Sequence, residues 1–168
     1  MKYGKVIFIF ISLLSITSTA YSQEVDKAFK DWTVYTTTLQ GKKTCYIGSF
    51  PKIKKGNFSK RDNPYFLVTK VPTTDGKTSY EVSASSGYKY KDNGEITADI
   101  GGKNYKMFTK DDVAWAYDSN QDQEMIDLMR KKSSLIVRGI SAKGTYSVDN
   151  YSLLGFSAAF DHIGGLCN

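Results

Sequence analysis

The first 22 residues have the pattern of a secretory leader, and this pattern restricts what the rest of the chain can fold into. Lys2 and Lys5 precede an apolar run over residues 6–14, and Ala20 and Ser22 place small residues where a signal peptidase reads them. The run is shorter than the ~20 residues that cross a bilayer. Cleavage after residue 22 is therefore favoured over an uncleaved N-terminal membrane anchor.

Cleavage would leave 146 residues starting at Gln23, enough for one domain over residues 23–168 with a substantial core. The leader carries two basic and no acidic residues, so the remaining chain has a net charge of +4. This surplus is spread along the chain. It favours contact with an acidic envelope component or protein partner over nucleic-acid binding. No later stretch is long and apolar enough to predict a transmembrane segment.

Two cysteines remain after the leader, Cys45 near the start of the domain and Cys167 next to its end. In an oxidising compartment an isolated pair most simply forms a disulfide. Free thiols, one of them nucleophilic, are the alternative. A closed zinc site is disfavoured because two cysteines and His162, the one histidine, do not supply four ligands.

The remaining sequence is dominated by short alternating runs rich in Tyr, Thr and Val, which are typical of strands. An Asp75-Gly76 pair and a Gly101-Gly102 pair lie between such runs and indicate hairpin turns. About nine strands at hairpin spacing predict a mainly β fold, an antiparallel β-sandwich or a partly open barrel. The predicted strands cover 32–35, 44–49, 65–71, 79–84, 95–100, 103–108, 113–117, 134–140 and 145–148.

Two segments change from strand to helix periodicity. The first, about residues 120–131, has two N-cap candidates, Ser119 and Asp118, and an apolar side that includes Met125 and Met129. The second, about residues 152–163, begins at Ser152 as a candidate cap and ends before a glycine pair. The sequence thus predicts two short helices beside the sheet.

Motifs with a defined chemistry are lacking. There is no Gly-rich phosphate loop, paired-histidine metal motif or nucleophile elbow, so neither a cofactor nor a metal is predicted. Asp149 and Ser152 are interpreted as caps of the second helix. A small envelope hydrolase that uses Ser152 or Cys167 as its nucleophile is kept as the alternative function.

A basic segment over residues 52–63 is predicted to be a loop after Pro51. A solvated connection is the ordinary interpretation of such a segment, and a partner-binding patch is the functional one. The candidate partner-binding residues are Lys52, Lys54, Lys55, Lys60 and Arg61.

The order of short motifs along the chain resembles the invasion-associated locus B family of secreted Gram-negative bacterial proteins. The resemblance is carried by Trp32-Thr33-Val34, Cys45-Tyr46-Ile47, Ala114-Trp115, 126–129, Ser141 to Thr145 and Asp149 to Ala159, ending in Cys167. It implies a periplasmic or surface-associated protein, linked by the family's name to entry into host cells. It supplies no catalytic residue or cofactor. The sequence and the resemblance together favour a non-enzymatic envelope or host-partner binding protein.

Overall fold

The computed structural model describes residues 23–39, 41–73 and 77–167. The expected leader lies outside these residues, so its cleavage stays a prediction. The strands are β1 (Glu24–Phe29), β2 (Trp32–Leu39), β3 (Lys42–Ser49), β4 (Ile53–Gly56), β5 (Tyr65–Pro72), β6 (Thr78–Ser85), β7 (Glu95–Ile100), β8 (Lys103–Lys110), β9 (Val113–Trp115), β10 (Ser134–Ile140) and β11 (Tyr146–Ser152). The helices are α1 (Ser119–Met129) and α2 (Phe156–Gly164).

The strands form one antiparallel sheet in the order β1-β2-β3-β5-β6-β9-β8-β7-β10-β11-β4. The sheet is not closed into a barrel, and β1 and β4 form its edges. The sheet nevertheless curves so that strands far apart in this order come into contact. Trp32 Nε1 donates to the Ser152 carbonyl at 3.0 Å, and the Phe66 and Tyr151 rings lie 6.0 Å apart. The prediction of a mainly β, antiparallel fold with two helices is confirmed.

The alternation of side chains places one face of each central strand in a common core. Ile47, Phe66 and Val82 are fully buried on neighbouring strands of the first half, and Ile100 and Val137 are fully buried in the second. Burial of such side chains is worth about 1.5–3 kcal/mol each relative to exposure. The two-residue period read from the sequence is therefore the main reason why these segments form strands.

Helix α1 packs over β6 and β7 through a buried acidic side chain as well as its apolar face. Asp118 accepts from Gln121 N at 2.9 Å as the N-cap, and Asp122 Oδ1 accepts from Val82 N at 2.8 Å. Burial raises the pKa of Asp122 to about 6, against the opposing effect of the Val82 hydrogen bond. The helix spans 119–129, close to the predicted 120–131.

Helix α2 begins at Phe156, so the predicted start at Ser152 is wrong. Ser152 is the last residue of β11, and Gly155 occupies the N-cap position with φ = 93°. A Cβ atom on Gly155 would lie 1.9 Å from the Phe29 carbonyl oxygen. Glycine is required here because the backbone is left-handed and touches β1. Asp149 is likewise a residue of β11 rather than a helix cap.

A disulfide joins the C-terminal segment to β3. Cys45 and Cys167 are bridged, with their Cα atoms 6.0 Å apart. The buried Lys70 on β5 supports the same segment by donating from Nζ to the carbonyls of Gly164, at 3.0 Å, and Leu166, at 2.6 Å. A cation at a helix C-terminus complements the exposed carbonyls, so these contacts hold α2 against the sheet.

Candidate functional site

The basic segment that follows Pro51 divides into three structurally different parts: strand β4 with Lys52 before it, the buried Arg61, and Lys60 beside a pocket. Residues 53–56 form β4, which was predicted to be loop, and β4 pairs with β11 through Lys54 opposite Asp149 and Lys55 opposite Val148. All four β4 residues are exposed. Lys52 precedes the strand and forms an ion pair with Asp31 at 2.5 Å. Lys54 and Lys55 thus lie on an edge of the sheet, where lysine also discourages pairing with another chain.

Arg61 differs from the four lysines because its side chain is only 3% exposed. Its Nη1 and Nη2 donate to the two carboxylate oxygens of Asp149 at 2.7 and 2.5 Å, and Nη1 also donates to the Ser86 carbonyl at 2.8 Å. The guanidinium lies 4.0 Å from the centre of the Phe58 ring. The structure thus places Arg61, a candidate partner-binding residue, where its charge is used inside the fold.

Lys60 lies on the rim of a pocket that the sequence did not reveal. The pocket has a volume of about 390 Å³ and is lined by ten residues from segments 57–60, 88–89 and 141–145. Three of these residues are lysines, Lys60, Lys89 and Lys143, and none is acidic. We call this concavity the lysine pocket. Its size falls near the lower end of the range for small-ligand sites.

Acidic neighbours of the lysine pocket are few. Lys89 Nζ lies 4.0 Å from Asp111, and both side chains are more than half exposed. Within the described ranges, Lys60 and Lys143 have no carboxylate within 4.0 Å. Exposed pairs such as Lys89 and Asp111 interact weakly in water, so the pocket keeps a net positive charge.

The hydrolase hypothesis finds little support in the geometry. Cys167 is held in the disulfide and offers no thiolate. Ser152 Oγ accepts from Leu154 N at 3.2 Å, and the nearby carboxylate is that of Asp31. Hydrogen bonds from Lys52 and then from Ser152 lower the pKa of Asp31, which makes it a weak base.

His162, on α2, is also engaged away from Ser152. Its Nε2 lies 2.7 Å from Asp26 Oδ2 on β1, and its ring packs against Phe29. In the described part of the chain, no three His, Cys, Asp or Glu residues are grouped so that they could hold a metal ion. The helices among those residues are also too short or too polar to cross a bilayer.

These features define a disulfide-bridged, antiparallel β protein whose edge strand β4 carries the exposed Lys54 and Lys55. The family model described as "Invasion associated locus B (IalB) protein" matches residues 32–164. The chain therefore belongs to the invasion-associated locus B family, which is extracytoplasmic and is not a known enzyme family. No match was found among curated proteins or among solved structures.

Sequence reasoning identified one of the three pocket lysines as a candidate binding residue, Lys60. Neither Lys89 nor Lys143 was predicted to be a binding residue. The sequence signal for Lys143 was the glycine that follows it in the turn 141–145. In the structure Gly144 has φ = 80°, so the chain bends sharply just after the lysine. Nothing in the local sequence places that turn beside residues 57–60.

Proposed function

We propose that this protein is a non-enzymatic binding protein of the periplasm or cell surface that contacts an acidic envelope component or an acidic partner protein. The cationic edge, which we define as Lys52, Lys54, Lys55 and Lys60, makes the contact. The observation that carries the proposal is that β4 is an edge strand whose residues are all exposed and whose Lys54 and Lys55 have no carboxylate within 4.0 Å in the described ranges. The expected leader and the extracytoplasmic character of the family support this localisation.

Charge pairing elsewhere on the surface supports the choice of this edge. Lys103 and Lys106 are both exposed, but each is paired, with Glu124 and Glu95 respectively. Within the cationic edge, Lys52 is paired with Asp31, whereas Lys54, Lys55 and Lys60 have no carboxylate within 4.0 Å in the described ranges. Such unpaired cations create a positive potential that attracts acidic surfaces and that salt screens within ~8–10 Å. Retention on the envelope should therefore be strong at low salt and weak at high salt.

The test uses the chain from Gln23 onward, with all four lysines of the cationic edge changed to Gln. Arg61 is kept, since its loss would disturb the core. Sedimentation with isolated envelopes at low and high salt should show retention of the native chain at low salt and loss of retention in the variant. A charge-matched control changes exposed lysines elsewhere to Gln: Lys42, Lys43, Lys110 and Lys131. Unchanged retention of the edge variant at both salt concentrations, or an equal loss in the control, would contradict the proposal.

The compartment is tested separately. Cell fractionation should recover the protein outside the cytoplasm, and N-terminal sequencing should start at Gln23. Recovery of the cytoplasmic protein with residues 1–22 attached would contradict export. The outcome does not depend on the charge of the edge, so the two parts of the proposal can fail independently.

A further inference from the structure

We propose that the lysine pocket binds a terminal phosphate group, a phosphomonoester carried by a small molecule or a lipid headgroup. This inference rests on the proposed function, because it names the acidic chemistry that the cationic edge would meet. Three lysines from three separate chain segments line the pocket, and no acidic residue lines it. A phosphomonoester carries a charge of about −1.5 to −2 at pH 7 and has three strong acceptor oxygens, one for each ammonium group.

Two of the three segments are fixed to one another by backbone contacts. In the turn that carries Lys143, Ser141 Oγ accepts from Lys143 N at 3.2 Å and from Thr145 N at 3.1 Å, and Ser141 N donates to the Thr145 carbonyl at 2.8 Å. Ala142 N donates to the Lys89 carbonyl at 2.9 Å. The backbones that carry Lys143 and Lys89 therefore have a set separation before any ligand arrives.

The third segment is anchored at both ends. Asn57 Oδ1 accepts from Tyr146 N at 2.9 Å, and Asn57 N donates to the Tyr146 carbonyl at 3.3 Å. At the other end Arg61 is held by its buried pair with Asp149. Because Lys60 immediately precedes Arg61, the fixed arginine sets where the backbone of Lys60 lies. The Lys60 side chain itself is exposed. A pocket that is organised in advance loses less entropy on binding.

The walls of the pocket can complete the coordination of a phosphate. Ser59 and Thr145 line the pocket, and hydroxyl groups can donate to phosphate oxygens that the ammonium groups leave without a donor. Tyr88 also lines the pocket, and its hydroxyl lies 2.7 Å from Ser147 Oγ. Burial raises the pKa of Tyr88 above its ordinary value, so no phenolate charge opposes an anion at neutral pH.

The test titrates inorganic phosphate into the chain from Gln23 onward and follows backbone amides by NMR at constant ionic strength, with chloride as the reference anion. We expect saturable shifts concentrated in segments 57–60, 88–89 and 141–145. Changing Lys60, Lys89 and Lys143 to Met should weaken binding by about tenfold or more, since several charge-assisted contacts are lost together. A matched control changes three exposed lysines outside the pocket to Met: Lys42, Lys110 and Lys131.

A second arm separates the possible sources of the phosphate. Vesicles with phosphatidic acid carry a monoester, and vesicles with phosphatidylglycerol carry a diester. Preference for phosphatidic acid, lost in the pocket variant, assigns the site to a lipid headgroup, whereas binding of inorganic phosphate without vesicle binding assigns it to a soluble phosphomonoester. If the triple variant unfolds, Lys143→Met alone should still weaken phosphate binding by about threefold.

The inference is overturned if phosphate and chloride give the same shifts, if the shifts do not saturate, or if the pocket variant binds like the control. If the native chain does not bind phosphate but Lys54→Gln/Lys55→Gln still lowers envelope retention, only the inference about the pocket is rejected, because neither of those lysines lines the pocket. If the native chain does not bind phosphate and Lys54→Gln/Lys55→Gln leaves retention unchanged, both the pocket inference and the proposed function are rejected.

Discussion

The buried ion pair between Arg61 and Asp149 gives the sharpest test of the fold. Both side chains are almost inaccessible, at 3% and 0% exposure, and they share two hydrogen bonds. Breaking such a pair by neutralising one partner costs about 3–5 kcal/mol, because the other charge stays buried without compensation. We therefore expect Asp149→Asn to lower the free energy of unfolding by that amount. For a chain of this length the loss corresponds to a fall in Tm of about 6–20 °C.

Arg61→Met should cost a comparable amount, because it leaves the Asp149 carboxylate in the core. Replacing both partners by apolar residues, as Arg61→Met/Asp149→Leu, removes both buried charges together. Such replacements are often neutral or stabilising. The double variant should therefore be more stable than either single variant, with a coupling energy of about 3 kcal/mol or more.

Urea unfolding of the oxidised chain, followed by circular dichroism, measures all four members of this cycle. An exposed pair in the same chain supplies the control: Arg130 Nη1 lies 2.7 Å from Asp161 Oδ1, with 34% and 63% exposure. Asp161→Asn should cost less than about 1 kcal/mol, although its distance matches that of the buried pair. The reasoning is refuted if Asp149→Asn costs no more than the control, or if the effects of the two core substitutions are additive.

Three further predictions concern stability. Reduction of Cys45–Cys167, which are separated by 122 residues, should lower the free energy of unfolding by about 4–5 kcal/mol in the chain-entropy model, and an unchanged urea midpoint with dithiothreitol would contradict this. Because the pKa of Asp122 rises from 3.8 to about 6 on folding, the folded state binds the proton more tightly, and this group makes stability fall as pH rises from about 4 to 6. Asp122→Asn should therefore stabilise the protein by about 1–3 kcal/mol at pH 8 and by little at pH 4, and equal gains at both pH values in thermal melts would show that the carboxylate is not the cause. Gly155→Ala should destabilise the protein by at least about 2 kcal/mol because its Cβ would collide with the Phe29 carbonyl, and a native melting temperature would disprove that contact.

The central strands could be predicted from the sequence because one face of each is buried. Alternation in segments such as 65–71 and 95–100 records that burial directly, and the structure places strands there. The two edge strands, β1 and β4, were not predicted because they lack such a buried face. The residues of β4 and nearly all of those of β1 are exposed, so neither strand has an apolar face to repeat every second residue.

The start of α2 shows a different limit of local patterns. Ser152 is a good N-cap residue, but Leu153 after it is buried and the chain needs three more residues before the helix begins. The requirement for Gly155 comes from Phe29, which lies 126 residues earlier in the chain. A local sequence window contains the cap candidates but not the distant backbone that selects between them.

The basic segment shows why composition alone could not define the candidate site. Lys60 and Arg61 are adjacent and similar in charge, yet one is exposed and the other is in the core. What separates them is Asp149, 88 residues away on β11. The lysine pocket likewise depends on three segments that only the sheet order brings together, since β4 and its flanking residues pack beside β11 at the far edge.

The buried pair also connects the stability of the fold to the proposed phosphate site. An apolar pair could fill the same space at no greater cost in free energy, but it would lack the fork of hydrogen bonds that fixes Arg61 to both Asp149 and the Ser86 carbonyl. The segment that carries Lys60 would then keep its Asn57 contacts with Tyr146 but lose the hydrogen bonds that hold its Arg61 end. The double variant Arg61→Met/Asp149→Leu should therefore keep its stability and still bind phosphate more weakly than the native chain. If it binds phosphate with native affinity, the ion pair serves the core only, and the position of Lys60 is set by the Asn57 contacts with Tyr146.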